Sequence, residues 1–198
     1  MFRLYLITDP AIGDIVGAVE RALAAIPTGA AAVQLRDRAA SGRALHETAL
    51  RLREATARWG APLLVNDRAD IAIAAGADGV HLRENSIGAH DARALGLRLV
   101  ARSTHATGGG VAAGADFAVF GPVFATPGKS APVGLQALAA ACATAGDLPV
   151  FALGGVSATR ARDCRAAGAH GVACINGVLG APDPAAAAHA MWEAVTSC

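Results

Sequence analysis

The segment AGADGVHL, residues 75–82, decides how this chain folds. It reads as the end of a helix, a turn at Gly76 and a short apolar strand. The same form recurs as TGAAAV at 28–33, AGADFAV at 113–119 and AGAHGV at 167–172. Gly accepts the left-handed backbone that closes a helix, so each copy marks a helix-to-strand junction. The spacing between copies is uneven, which fits a βα repeat and not a solenoid.

Working outward from these junctions gives eight strand candidates: RLYLIT (3–8), AAVQLR (31–36), PLLVN (62–66), DGVHL (78–82), RLVARS (98–103), DFAVFG (116–121), PVFALG (149–154) and GVACIN (171–176). None alternates polar with apolar, as expected for parallel strands covered on both faces. Ala/Leu/Arg stretches of helical length separate them, although DRADIAIAAGA, between strands three and four, leaves room only for a short helix. Eight strands alternating with helices predict a closed α/β (β/α)8 TIM barrel in a single domain over residues 1–198. An open doubly wound sheet is the alternative.

Composition narrows the function. Of 198 residues, 54% are hydrophobic and 17% charged, which excludes disorder and supports one sizeable core. The net charge is +1 and no basic stretch alternates with aromatics, so nucleic acid is not an expected partner. No apolar run reaches the roughly 18 residues a membrane span needs. MFRLYLITDP carries too short an apolar run for a signal peptide, and the expected location is cytoplasmic. Cys142, Cys164, Cys174 and Cys198 show no CxxC spacing, so packed, reduced thiols are expected instead of a disulfide or zinc site.

Barrel enzymes carry their sites at the C-terminal ends of the strands, and here those ends are polar: Thr8 and Asp9; Gln34, Arg36 and Arg38; Asn66, Asp67 and Arg68; His81, Arg83, Glu84 and Asn85; Arg102, Ser103, Thr104 and His105; Thr126 and Lys129; Gly154 and Gly155; Asn176 and Gly177. The Gly-rich turns LGGVS and INGV after strands seven and eight suit phosphate, because Gly lets backbone N–H groups approach an anion beside a helix N-terminus. Lys129 is the only lysine, in the long loop GPVFATPGKS (121–130). Among the histidines, His46, His90 and His189 fall in helical stretches. His105 lies just past strand five and is the candidate general acid/base. No His pair has zinc spacing.

Eight motifs in order, YLITD, QLRDR, LLVNDRADIA, GADGVHL, RSTH, GADFAVFGPVFATPGK, PVFALGG and AGAHGVA, resemble the thiamine phosphate synthase superfamily over nearly the whole chain. The resemblance implies a (β/α)8 barrel that is often dimeric, and one of two chemistries on a small phosphorylated thiazole. A synthase joins hydroxymethylpyrimidine pyrophosphate to thiazole phosphate with Mg2+, held by an Asp in an NDR motif and an Asp in an HLGQxD-type motif. A tautomerase isomerises a thiazole carboxylate phosphate with no metal. Asp67 matches the first synthase Asp, but HLRENS places Ser86 at the second, with Arg83 and Glu84 for Gly and Gln; Arg38 replaces a Lys. The departure favours the tautomerase, an isomerase with His105 as the catalytic group and no required cofactor. Gln34, Arg36, Asn66, Ser103, Thr126, Lys129, Gly154, Gly155, Asn176 and Gly177 are then the expected substrate and phosphate contacts. A Mg2+-dependent synthase using Asp67 and a non-catalytic regulatory barrel are the alternatives.

Overall fold

The structure is a computed structural model that describes residues 1–105, 112–126, 128 and 131–197. Its strands are β1 (Leu4–Ile7), β2 (Ala31–Leu35), β3 (Leu63–Asn66), β4 (Gly79–Leu82), β5 (Leu99–Thr104), β6 (Phe117–Phe120), β7 (Val150–Leu153) and β8 (Gly171–Cys174). Each pairs in parallel with the next and β8 closes on β1, which excludes the open sheet. The helices are α1 (Ile15–Ala24), α2 (Gly42–Ala57), α3 (Ala69–Ala74), α4 (Ala89–Ala94), α5 (Gly134–Ala145), α6 (Ala158–Ala166) and α7 (Pro184–Thr196). α3 is the short helix expected between strands three and four. α7 packs between α6 and α1 and so completes the outer ring.

The junction repeat has a physical basis beyond its glycine. Gly29, Gly76, Gly114 and Gly168 have φ of 74°, 62°, 78° and 96°, the left-handed backbone inferred from sequence. The Asp that follows in two copies satisfies an N–H at the foot of the barrel. The Asp78 carboxylate accepts from Leu63 N–H at 2.8 Å, and that of Asp116 from Val100 N–H at 2.7 Å. In the fourth copy His170 stands there instead. Its Nε2–H donates to the Phe2 carbonyl at 3.1 Å, which leaves Nδ1 to accept from Arg3 at 3.3 Å.

Strand alternation splits the core in two. Leu4, Leu6, Val33, Leu35, Leu63 and Val65 face the helices. Tyr5, Ile7, Ala32, Leu64, Ala101, Phe117, Val119, Phe151 and Ala173 fill the barrel interior, which Phe2 closes at the foot. Residue size is complementary there: a Cβ on Gly171 would lie 2.7 Å from the Phe151 ring. Cys164 and Cys174 are buried free thiols, and burial pushes both up to about 12, so neither supplies a thiolate near neutral pH. Among the described residues no helix is long and apolar enough to cross a membrane.

Candidate active site

A cavity of about 540 Å³ opens at the C-terminal ends of the strands. Its floor is apolar, from Ile7, Leu153 and Ile175. Its walls bring together most of the residues expected from sequence: Gln34, Arg36, Asn66, Ser103, His105, Thr126 and Gly154. The β4–α4 loop adds Arg83, Glu84 and Asn85, and the β2–α2 loop adds Arg38.

Gln34 and His81, which also line the cavity, are each 2% exposed. Gln34 donates to Asn66 Oδ1 at 2.9 Å, and its own Oε1 is buried with no partner among the described residues. A buried orphan acceptor is costly unless a ligand supplies a donor. His81 links Tyr5 Oη, at 3.1 Å from Nδ1, to Ser103 Oγ, at 2.8 Å from Nε2. Burial keeps the Tyr5 phenol protonated. Its O–H is satisfied by donating to Nδ1, so Nε2–H donates to Ser103, and the Ser103 proton is left for the cavity.

Burial, with the Arg36 charge adding to it and Asp67 opposing, pushes His81 down to about 4 from 6.5. The folded value lies below the unfolded one, so the unfolded chain takes up the proton first as pH falls. Stability is therefore lost from about pH 6.5 down to about 4, and at about 1.4 kcal/mol per unit the loss is about 3 kcal/mol. Denaturant unfolding of the wild type should show this extra decline between pH 7 and 4, and His81→Asn should lack it. Parallel curves for the two proteins would rule out a neutral buried His81.

His105 lies at the end of β5 with Nδ1 2.5 Å from the Gly121 carbonyl. A carbonyl only accepts, so Nδ1 carries the proton. The expected phosphate cradle is only partly assembled. Gly154, with φ of 99°, lines the cavity. Gly155 sits behind it, where an added Cβ would lie 2.7 Å from the Ala125 carbonyl, and its own carbonyl accepts from Arg160 at 2.8 Å. Beyond β8 the chain turns back, Leu179 N–H reaching the Ile175 carbonyl at 3.2 Å. That turn carries Asn176 into a separate depression with Asp14 and Arg21, and Gly177 lies against Val156. Neither lines the main cavity. Lys129 lies outside the described residues.

Asp67 is where sequence reading fell shortest. Its φ is 63°, rare for a non-Gly residue, and its carboxylate turns to the β4–α4 loop. One oxygen is held by Arg83 through Nε and Nη2, the other by the Ser86 hydroxyl. Ser86 Oγ also accepts from Arg83 N–H at 2.9 Å, and Arg102 braces the loop by donating to the Glu84 carbonyl at 2.9 Å. Burial alone raises the Asp67 carboxyl, but its bonds from Ser86 and Arg83 outweigh that and hold it below the usual carboxylate range.

A dedicated Mg2+ site needs one or two free carboxylates beside substrate oxygens. Asp67 already carries a guanidinium and a hydroxyl, the second acidic position is Ser86, Glu84 is a lone exposed carboxylate on the loop next to Arg83, and no group of three His, Cys, Asp or Glu forms among the described residues. This donor set does not fit the metal that the family implies.

The thiamine monophosphate synthase profile matches residues 4–178. The chain belongs to the thiamine monophosphate synthase family. A putative thiamine-phosphate synthase of Geobacter sulfurreducens is 48% identical over 201 residues, covering 96% of this chain and 92% of that one. The thiamine-phosphate synthase of Chloroflexus aurantiacus is 41% identical over 204 residues, covering 98% and 93%. The solved thiamine phosphate pyrophosphorylase of Pyrococcus furiosus superposes with a TM-score of 0.87 at 30% identity, covering 99% and 96%. These relatives overturn the expectation of a tautomerase and of an isomerase: full-length similarity to synthases points to a transferase. The expectation rested on Ser86 at the second metal position, on Arg83 and Glu84 beside it and on His105. Ser86 removes one carboxylate of the HLGQxD-type motif, while Arg36, Arg38 and Arg83 line the cavity.

Proposed function

We propose that this protein is a thiamine phosphate synthase, a transferase that joins hydroxymethylpyrimidine pyrophosphate to thiazole phosphate. Full-length similarity to named synthases supports this reading, and one structural observation carries it: Arg36, Arg38 and Arg83 converge on one wall of a cavity whose floor is apolar. Such a cavity suits a flat heteroaromatic ring that bears a diphosphate.

In the reaction the bond from the pyrimidine methylene carbon to the diphosphate oxygen breaks, a carbon–nitrogen bond forms to the thiazole, and inorganic pyrophosphate leaves. Negative charge grows on the departing diphosphate. Fixed guanidinium groups stabilise it there more than in the ground state, which is the requirement for catalysis. Ile7, Leu153 and Ile175 exclude water from the reacting carbon, the Gln34 carbonyl oxygen receives a ring donor, and Ser103 offers its proton. The second phosphate belongs at the turn from Gly154 into α6, whose N-terminus attracts an anion.

Incubation of the purified protein with both substrates and excess Mg2+ should yield thiamine phosphate and pyrophosphate in equal amounts. Release of neither product at saturating substrate would remove the synthase assignment.

A further inference from the structure

The Asp67–Arg83 pair occupies the place where the resemblance puts a divalent cation, and it is built as a fixed element. Three links hold it. Asp67 grips Arg83 Nε and Nη2, Ser86 ties the carboxylate to the loop backbone, and Arg102 braces that loop through the carbonyls of Glu84 at 2.9 Å and Ile87 at 3.4 Å. The Asp67 side chain is 16% exposed and that of Arg83 44%, so the anchor is sunk while the guanidinium faces the mouth. Nη1 of Arg83 has no hydrogen-bond partner among the described residues.

Three guanidinium groups, those of Arg36, Arg38 and Arg83, line the cavity beside one carboxylate, that of Glu84. Arg36 loses its proton more readily than an ordinary arginine. Burial is the main cause and Arg38 and Arg83 add to it, against the partial support of Asp9 and Asp37. Asp9 and Asp37 are themselves committed to backbone, at Ala11 and at Ala39 and Ala40. An anion of several charges would relieve the crowding.

We infer that Arg83 is a built-in cation that takes the place of the metal: the diphosphate is bound by the guanidinium groups of Arg36, Arg38 and Arg83, and Asp67 anchors Arg83 instead of ligating Mg2+. This rests on the synthase reading. A guanidinium brings one charge where Mg2+ brings two, but its planar fork matches phosphate oxygens in pairs and sheds water more easily. Ser86 follows from the same arrangement. A hydroxyl can donate to Asp67 while accepting from Arg83 N–H, whereas a carboxylate at 86 would face Asp67 charge to charge.

Titration calorimetry with inorganic pyrophosphate in EDTA, and spin-resonance titration with Mn2+ alone, test this directly. The wild type should bind pyrophosphate without metal and show no tight Mn2+ site. Arg83→Met should lose at least about tenfold in metal-free pyrophosphate affinity, and Arg83→Lys should recover part of it. Arg83→Gly combined with Ser86→Asp should gain a Mn2+ site. Pyrophosphate binding that appears only with metal, or an unchanged affinity in Arg83→Met, overturns the inference. The same preparations assayed in excess Mg2+ separate the two readings. Thiamine phosphate formation with metal-dependent pyrophosphate binding defeats this inference and spares the synthase, while metal-free binding with no thiamine phosphate defeats the synthase.

Discussion

Replacing Phe151 with Ala is expected to lower the unfolding free energy by about 3–5 kcal/mol. The ring is fully buried inside the barrel. It lies 5.2 Å from the Phe117 ring in an edge arrangement, 5.3 Å from Phe2 and 5.4 Å from His170. Edge-to-face rings add to the area they bury. The strands around them cannot collapse into the space, because parallel pairing on both sides fixes their spacing, so truncation leaves a cavity. With total stabilities of about 5–15 kcal/mol, the loss takes a large share of what holds the barrel. Denaturant unfolding should show a lower midpoint with an unchanged slope. Phe151→Leu, which keeps most of the volume, should cost far less. A loss under about 1 kcal/mol for the Ala variant would mean that the interior can repack, contrary to its tight fit around Gly171.

Much of this architecture was legible because local physics dictates it. A helix that ends on a left-handed Gly before an apolar run has few alternatives, and four such junctions with eight runs leave little but a barrel. The polar strand ends were legible for the same reason, since parallel strands put residues of like register at one rim. What remained hidden depends on distances across the barrel. Nothing near Tyr5 in sequence announces that its hydroxyl meets His81, 76 residues on. Asn176 and Gly177 have the composition of a phosphate turn, yet the backbone beyond β8 carries them off the cavity. Asp67 carries the same lesson further. Its identity suggested a metal ligand, whereas its left-handed backbone and its partners Arg83 and Ser86 show a carboxylate already committed. Reading Ser86, Arg83, Glu84 and His105 as signs of a metal-free isomerase led to the wrong reaction class, because a lost ligand and a histidine at a strand end do not by themselves fix the reaction.

Arg36→Met should therefore reduce kcat/KM by about 10²–10³, the range for losing one preorganised donor to a charge that develops in the transition state. Arg36 is held for this role by more than its side chain. Its backbone N–H donates to Thr8 Oγ1 at 2.9 Å, which ties the β2 end to the β1 end and fixes where the guanidinium starts. The loss should fall on the diphosphate half of the reaction: KM for the pyrimidine substrate rises and kcat falls, while KM for the thiazole phosphate changes little. Arg36→Lys keeps the charge without the fork and should lie between the two. Thermal unfolding should remain close to the wild type, because Arg36 is only half-buried and its removal relieves repulsion with Arg38 and Arg83. Steady-state kinetics with each substrate varied in turn provides the check. Equal increases in both KM values with kcat unchanged would place Arg36 outside the path of the leaving group and would move the diphosphate to another wall of the cavity.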